Sequence, residues 1–486
     1  MKSRVERDSL GKVNVPAGAY YGAHTQRSAE NFPVSGLKAY PLFIDSYSMI
    51  KKAAAIANMA LGMLERKIGN AIIKAANEIL SGNLREHFII DVYQAGAGTS
   101  FNMNTNEVIA NRAAELLGGK KGNYTLVHPN DHVNMSQSTN DTYPSAMRIS
   151  CLLMIKQLLP VLKKFESTLK RKSIEFSNAV KAGRTHLQDG PPITLGQEFS
   201  GYSEIVRKHY ELISSSQKNL SEVGLGGTAV GTGINTHSGY GKLVIKNLAK
   251  LTGLKLKPAK NNFEAMQSMH PFTALSSDLK NFSVDLSKIS DDIRLMASGP
   301  RTGFGEIILP AVQPGSSIMP GKINPSMAEM MNMVCCQVIG NDLTITTASA
   351  AGQLELNVMM PVILFNLLFS MEILKNGLKA FNEKCVSGIK ADRKKCREYA
   401  EKTISIVTAL NPIIGYSNSA EIAKEAVRTG KSIIDVIKEK KILDRKKLEQ
   451  VLSAAGGLMK LTKPLPAVPQ VNDSKESWTG RRINRF

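Results

Sequence analysis

The chain has 486 residues, 43% apolar and 21% charged, proportions close to globular averages that exclude a collagen-like repeat, a low-complexity scaffold and wholesale disorder. At ~150 residues per domain, the length predicts about three domains or one extended one. Lys and Arg outnumber the acids by 62 to 41, a net charge of +21, but they are spread along the chain rather than clustered, so a nucleic-acid partner is not expected and the basic surface would instead concentrate a small anion.

The first thirty residues carry no apolar h-region, so no secretory signal is expected. Cys151, Cys335, Cys336, Cys385 and Cys396 form no C-x-x-C pair and have no His at zinc-finger spacing. That predicts no disulfide framework and no metal site, and an odd, irregular set fits a reducing, cytoplasmic location. From Phe43 to Leu80 apolar residues recur every three or four positions among good helix formers, predicting helix. Between His87 and Asp141 this pattern breaks into QAGAGTSFNMNTNE and VHPNDHVNMSQSTND, read as loops with a function or a helix end to serve. Residues 145–180, 194–222, 272–298 and 326–358 each predict a long amphipathic helix, together a bundle. Period-two runs are scarce, which disfavours a doubly wound sheet. The most apolar stretch, Val358 to Leu374, contains Pro361, Asn366, Ser370 and Glu372; it falls short of the ~20 apolar residues of a bilayer span and is read as a buried helix, with no membrane partner. Beyond Asp392 helices shorten, and the closing KPLPAVPQVNDSKESWTGRRINRF is predicted to be a mobile basic tail.

Three polar segments are candidates for chemistry. Thr99 and Ser100 in GAGTSFNMNTNE, with Ser138, Thr139 and Asn140 in SQSTND, offer hydroxyls, amides and helix-start N–H groups suited to a carboxylate, or else simply cap helices. In GRTHLQDGPPITLGQE, Thr185 and His186 follow a helix and precede a Pro-broken turn; the His is either structural or a carboxylate and water ligand. Gly299 to Asn332 joins two helical stretches through a loop rich in Gly and Pro, in which Ser316, Lys322 and Asn324 supply a hydroxyl, a cation and an amide. A connection of that length suggests a functional lid. Chemistry alone reaches an anionic-substrate site with a lid and goes no further.

The string GSSIMPGKINP resembles the signature of the aspartase/fumarase superfamily of lyases. The resemblance extends from VPAGAYYGAHTQRSAENFPVSG through GAGTSFNMNTNEV, HPNDHVNMSQSTND, GRTHLQD, GGTAVGTG and GQLELNVMMP to about Pro464. It implies a mostly α-helical, three-domain protomer whose long central helices assemble into a tetrameric multi-helix core, with domains at 1–141, 142–396 and 397–486. Each active site would draw loops from three subunits and act on a four-carbon dicarboxylate by elimination or addition, without a metal or organic cofactor. By the same resemblance Ser316 is the base, and Thr99, Ser138, Thr139 and Ser317 cradle the carboxylate that takes up charge. Lys322 and Asn324 hold the other carboxylate. Asn140, Thr185 and His186 hold that carboxylate and the leaving group, and Glu329 pairs with His186.

Within the family the markers divide. GAGTSFNMN, Thr139, Gln188, AGQLELNVM and the opening RVERDSLG with AYYG resemble members that eliminate ammonia; FSGY, GGTAVGTG, NNFEA and His128 resemble those that eliminate water. Markers nearest the substrate weigh towards ammonia. Gly190 stands where both groups usually place Ala, which predicts a looser turn after His186. A silent helical scaffold using its basic surface is a third reading, opposed by the joint presence of Ser316, Lys322, Asn324, His186 and Glu329.

Overall fold

A computed structural model describes residues 2–443, so the basic tail lies outside the described residues. The protein is mostly α. Strands occur, among the described residues, only as two-stranded pairs. Two compact units divide the chain, each assembled from separate sequence segments.

The first unit comprises Met1–Lys170, Gly201–Ala297 and Leu309–Ile389. It opens with an antiparallel hairpin, β1 (Ser3–Asp8) and β2 (Gly11–Pro16), followed by α1 (Ala23–Asn31), α2 (Pro41–Ala60), α3 (Arg66–Leu80) and α4 (Thr99–Leu116). Helix α5 (Thr139–Glu175) starts in this unit, and α6 (Leu195–Ser215) ends in it. Short elements follow: α7 (Gln217–Leu220), β5 (Glu222–Val223), α8 (Tyr240–Thr252), β6 (Lys257–Pro258) and α9 (Asn262–Gln267). The long helices α10 (His270–Met296), α11 (Ser326–Ala350) and α12 (Met360–Lys384) complete it, with α10 packed along α11 and α11 along α12.

Helical period explains the packing. On α10 the buried Phe272, Leu275, Leu279, Phe282, Leu286, Ile289, Ile293 and Met296 alternate steps of three and four, a narrow seam of the kind that binds long helices side by side. Each such side chain contributes ~1.5–3 kcal/mol when fully buried. Helices α5 and α12 are long and apolar enough to cross a membrane by length and composition, but 67% and 61% of their most apolar windows are buried inside the fold. They are core helices here.

The second unit comprises Arg171–Ser200, Ser298–Ile308 and the chain from Lys390 on. It holds the antiparallel hairpin β3 (Val180–Thr185) and β4 (Gln188–Thr194), the pair β7 (Ile307–Ile308) and β8 (Lys390–Ala391), and the shorter helices α13 (Arg393–Lys402), α14 (Asn411–Ile414), α15 (Tyr416–Thr429) and α16 (Ile433–Glu439). Ile406, Leu410, Ile422, Ala426, Ile433, Val436 and Ile437 form its apolar cluster.

Two sequence expectations require correction. The stretch 94–107, read as a loop or a helix end, enters helix α4 at Thr99, and the helix runs on to Leu116 with its polar side chains mostly buried. Asn104 donates to His87 O (2.9 Å), Asn111 donates to Tyr20 O (2.8 Å), and Glu107 accepts from the N–H groups of Gly22, His24 and Thr25. The polar face of α4 therefore completes the hydrogen bonds of surrounding loops, which is why its apolar period is hidden. Thr185 and His186, read as following a long helix and preceding a Pro-broken turn, lie at the tip of the β3–β4 hairpin, with Pro191 and Pro192 inside β4.

Candidate active site

Helices α4 and α5 start against each other. Gly98 precedes α4 in a left-handed conformation (φ +82°), and a Cβ there would lie 2.0 Å from the Tyr143 ring of α5, so only glycine lets the two helix starts approach so closely. Thr99 is the first residue of α4, and Thr139, nearly buried, is the first of α5. No side chain caps α4 at Gly98, and the buried Ser100 hydroxyl meets no hydrogen-bond partner among the described residues. The capping alternative holds in part: Ser138 Oγ accepts from Asn140 N (3.2 Å), and Asp141 Oδ1 accepts from Ser138 N (2.9 Å), a capping box.

Asp141 also accepts from the backbone N–H groups of Gly226 (3.0 Å) and Thr228 (3.1 Å), while Asn140 Nδ2 donates to Ala229 O (2.8 Å). The GGTAVGTG loop is thus fastened to the start of α5. Burial pushes the Asp141 carboxyl up to about 6 against those three donors. The GQLELNVM segment reaches the start of α4, where Ala97 N donates to Val358 O (3.0 Å).

Beneath the two helix starts lies Lys51 of α2, fully buried. Its ammonium donates to Asn102 Oδ1 (2.8 Å), Asn134 Oδ1 (3.0 Å) and Gln137 Oε1 (2.9 Å), and burial draws its pKa down to about 7. The sequence reading missed Lys51 and Asp141. Helical phase carried a signal for the first: position 51 falls on the stripe of Tyr47, Ala54 and Asn58, where a charge is out of place.

Thr185 and His186 belong to the second unit, exposed at the tip of β3–β4. His186 and Leu187 form the two-residue turn, both with φ +56°, a geometry that right-twisted hairpins favour and that side chains other than Gly and Asn adopt at a cost of ~1–3 kcal/mol each. The turn is tight, against the expectation of looseness: a Cβ on Gly190 would lie 3.1 Å from Gly183 O, so glycine there admits close strand contact. The hairpin is anchored below its tip. Arg184 Nη1 donates to the fully buried Glu306 Oε1 (2.8 Å), its guanidinium lies 4.2 Å from the Phe304 ring centroid, and Lys181 pairs with Glu306 (3.3 Å) and Glu198 (2.6 Å).

Ser316, Ser317, Lys322 and Asn324 lie in the first unit on one closed loop. Gly315 N donates to Lys322 O (2.8 Å) and Asn324 Nδ2 to Gly315 O (2.6 Å), pinching the loop shut. The half-buried Ser316 Oγ accepts from the backbone N–H groups of Ile318 (3.2 Å) and Met319 (3.0 Å). Ser317 and Lys322 are exposed. Among the described residues, the hydrogen bonds of Ser316 and Asn324 stay within this loop. Glu329 stands in the first turn of α11, beside a depression it shares with Arg294, Asn332, Met333, Cys336 and Gln337. The first unit therefore brings the start of α4, which carries Thr99, close to the start of α5, which carries Ser138, Thr139 and Asn140, through the Gly98–Tyr143 approach. The Ser316 loop belongs to the same unit and the His186 hairpin to the second.

Residues 11–340 match the Lyase family, and residues 406–456 match the Fumarase C C-terminus family. The chain is 49% identical over 450 residues to an aspartate ammonia-lyase of a Bacillus species, covering 93% of this chain and 96% of that one. It is 46% identical over 434 residues to a class II fumarate hydratase of Ralstonia nicotianae, covering 89% and 94%. Among solved structures, a fumarate lyase:delta crystallin from Brucella melitensis bound to cobalt superposes with a TM-score of 0.92 at 46% identity, covering 94% of this chain and all of that one. A family match over most of the chain, and relatives this similar over nearly its whole length, show that it belongs to the aspartase/fumarase superfamily of lyases.

Proposed function

We propose that the chain is an aspartate ammonia-lyase, converting L-aspartate reversibly to fumarate and ammonia. Ser316, ionised, takes the Cβ proton; the electron pair moves onto the adjacent carboxylate to give an aci-carboxylate dianion. Collapse of that dianion forms the Cα–Cβ double bond and breaks the C–N bond, and ammonia leaves. Thr99, Ser138, Thr139 and Ser317 hold the aci-carboxylate, where fixed donors stabilise developing charge best. Lys322 and Asn324 hold the second carboxylate, with Asn140, Thr185 and His186 at that carboxylate and the amine, and Glu329 fixing the His186 tautomer. The observation that carries the serine assignment is the pair of backbone N–H groups aimed at Ser316 Oγ, because such donors favour the ionised oxygen.

Substrate choice rests on the segments around the cradle. The ammonia-type GAGT and GQLELNVM segments touch each other at Ala97 and Val358, and Thr139, first residue of α5, adds a methyl to the proposed cradle. The water-type GGTAVGTG loop also bonds to Asn140. That contact supports the second reading, class II fumarate hydratase. Purified protein given L-aspartate or L-malate, followed by fumarate absorbance, decides: robust malate turnover without aspartate turnover reverses the assignment.

We further propose a homotetramer with shared sites, located in the cytoplasm. Met333, Cys336, Gly340 and Leu343 recur at steps of three and four on the exposed side of α11, an apolar stripe that a second copy would cover. Light scattering at working concentration tests it, and an active monomer would contradict it. The five free thiols agree with a reducing compartment.

A further inference from the structure

Lys51 is a buried cation whose hydrogen-bond acceptors are three neutral amides. The amides are not free to turn. Gln137 Nε2 is committed to Val133 O and Met135 O, Asn134 Nδ2 to Gln137 O, and Asn102 Nδ2 to Asn134 Oδ1. All three oxygens must therefore face the lysine, and only an ammonium has three N–H groups to satisfy them; a neutral amine would point its lone pair at an oxygen.

The placement of those amides gives the arrangement a consequence. Asn102 lies in the first turn of α4, three residues after Thr99, and Gln137 immediately precedes Ser138. Tyr47, on the same face of α2 as Lys51, bonds Thr142 in the first turn of α5 (2.8 Å). One side chain thus ties together the two helix starts that carry the cradle hydroxyls.

We propose that Lys51 is a positioning residue for the carboxylate cradle: its ammonium locks the starts of α4 and α5 into register and adds a positive charge beneath them, so that a dicarboxylate binds to the protonated enzyme. This rests on the cradle reading given above. The groups facing Lys51 make the linkage simple. Helix α4 presents Asn102, the 134–137 turn presents Asn134 and Gln137, Asn106 bonds Asn134 in turn, and none of these titrates. The Tyr47 phenol is held well above its ordinary range by burial. Asp141 is the acid that acts on Lys51: burial pushes its carboxyl up to about 6 and draws Lys51 down to about 7, and the carboxylate, where ionised, favours the ammonium. An anion seated above Lys51 favours the ammonium, so binding above neutrality must draw in a proton, and affinity must fall as pH rises.

The test is calorimetric titration of the full protein with succinate, a non-reacting four-carbon dicarboxylate, in two buffers of different ionisation enthalpy. For the wild type near pH 8, uptake approaching one proton is expected, with affinity weakening by up to ~10-fold per pH unit above neutrality. Lys51→Gln, which keeps two donors but no charge, should bind more weakly near pH 6.5, with little pH dependence and without that uptake. A folded Lys51→Gln protein with wild-type affinity and uptake overturns the proposal while leaving the enzyme assignment standing. A wild type that neither turns over nor binds any four-carbon dicarboxylate overturns both. Should Lys51→Gln not fold, Gln137→Glu gives the lysine a carboxylate partner that keeps it charged to higher pH; the affinity slope above neutrality should then disappear, and an unchanged slope refutes the proposal.

Discussion

Replacing Glu306 with Gln tests the anchor of the His186 hairpin. Glu306 is fully buried, Lys181 is 3% exposed, and with Arg184 and Glu198 they form a group of two cations and two anions. Gln keeps the shape and removes one negative charge, leaving a net positive charge in the interior. Removing one member of a buried pair costs about 3–5 kcal/mol, because the remaining charge is desolvated without compensation. Exposed pairs such as Arg397–Glu401 contribute ~0–1 kcal/mol, so the two regimes are separable. Urea denaturation should show a large drop in midpoint for Glu306→Gln. The double variant Glu306→Gln/Lys181→Met restores neutrality and should recover a substantial part of the loss, a coupling of ~0.5–3 kcal/mol. A single variant costing less than ~1 kcal/mol, or a double variant no better than the sum of its parts, would refute the view that charge compensation holds this hairpin.

Ser316→Ala should lower kcat by ~10²–10⁴-fold with the urea midpoint nearly unchanged, since the hydroxyl is only half-buried; near wild-type kcat would move the base elsewhere, with His186 next to be tested. Gly98→Ala should cost ~1–3 kcal/mol and weaken dicarboxylate binding, because the added methyl meets the Tyr143 ring at 2.0 Å and the residue has a positive φ; a fully stable Gly98→Ala protein would show that α4 and α5 can separate without loss. The Pro314–Pro325 loop should be cleaved more slowly by protease when succinate is bound, and equal cleavage with and without ligand counts against a lid.

The long helices were legible because their cores obey a simple period: the seam on α10 can be read from its sequence alone. The start of the next helix along the site was not. Helix α4 buries Asn102, Asn104, Asn106, Glu107 and Asn111 against loops from elsewhere in the chain, and those partners cannot be inferred from local spacing. The hairpin at His186 was hidden for a related reason. Its strands carry Lys181, Arg184 and Asp189 with two prolines, a composition that resembles a loop, and its stability depends on Glu306, more than a hundred residues away. The proposed cradle hydroxyls were legible as chemistry, whereas the Gly98 contact that lets the starts of α4 and α5 approach became visible only in three dimensions.

Net charge illustrates the same division between composition and place. The excess of +21 suggested a surface that gathers anions, yet many surface cations are paired with acids one helical turn away, as in Arg207 with Glu204 and Glu211 or Lys288 with Asp292. Such cations are screened by water and salt, and they act on a dianion only weakly at a distance. Lys51 differs in kind. It is enclosed, its acceptors are neutral, and the acid acting on it, Asp141, is already occupied by three backbone N–H groups. A charge so placed keeps its field at the cradle because little solvent intervenes. One buried lysine therefore bears more directly on which ligands the cradle accepts than the dispersed surplus that dominates the composition.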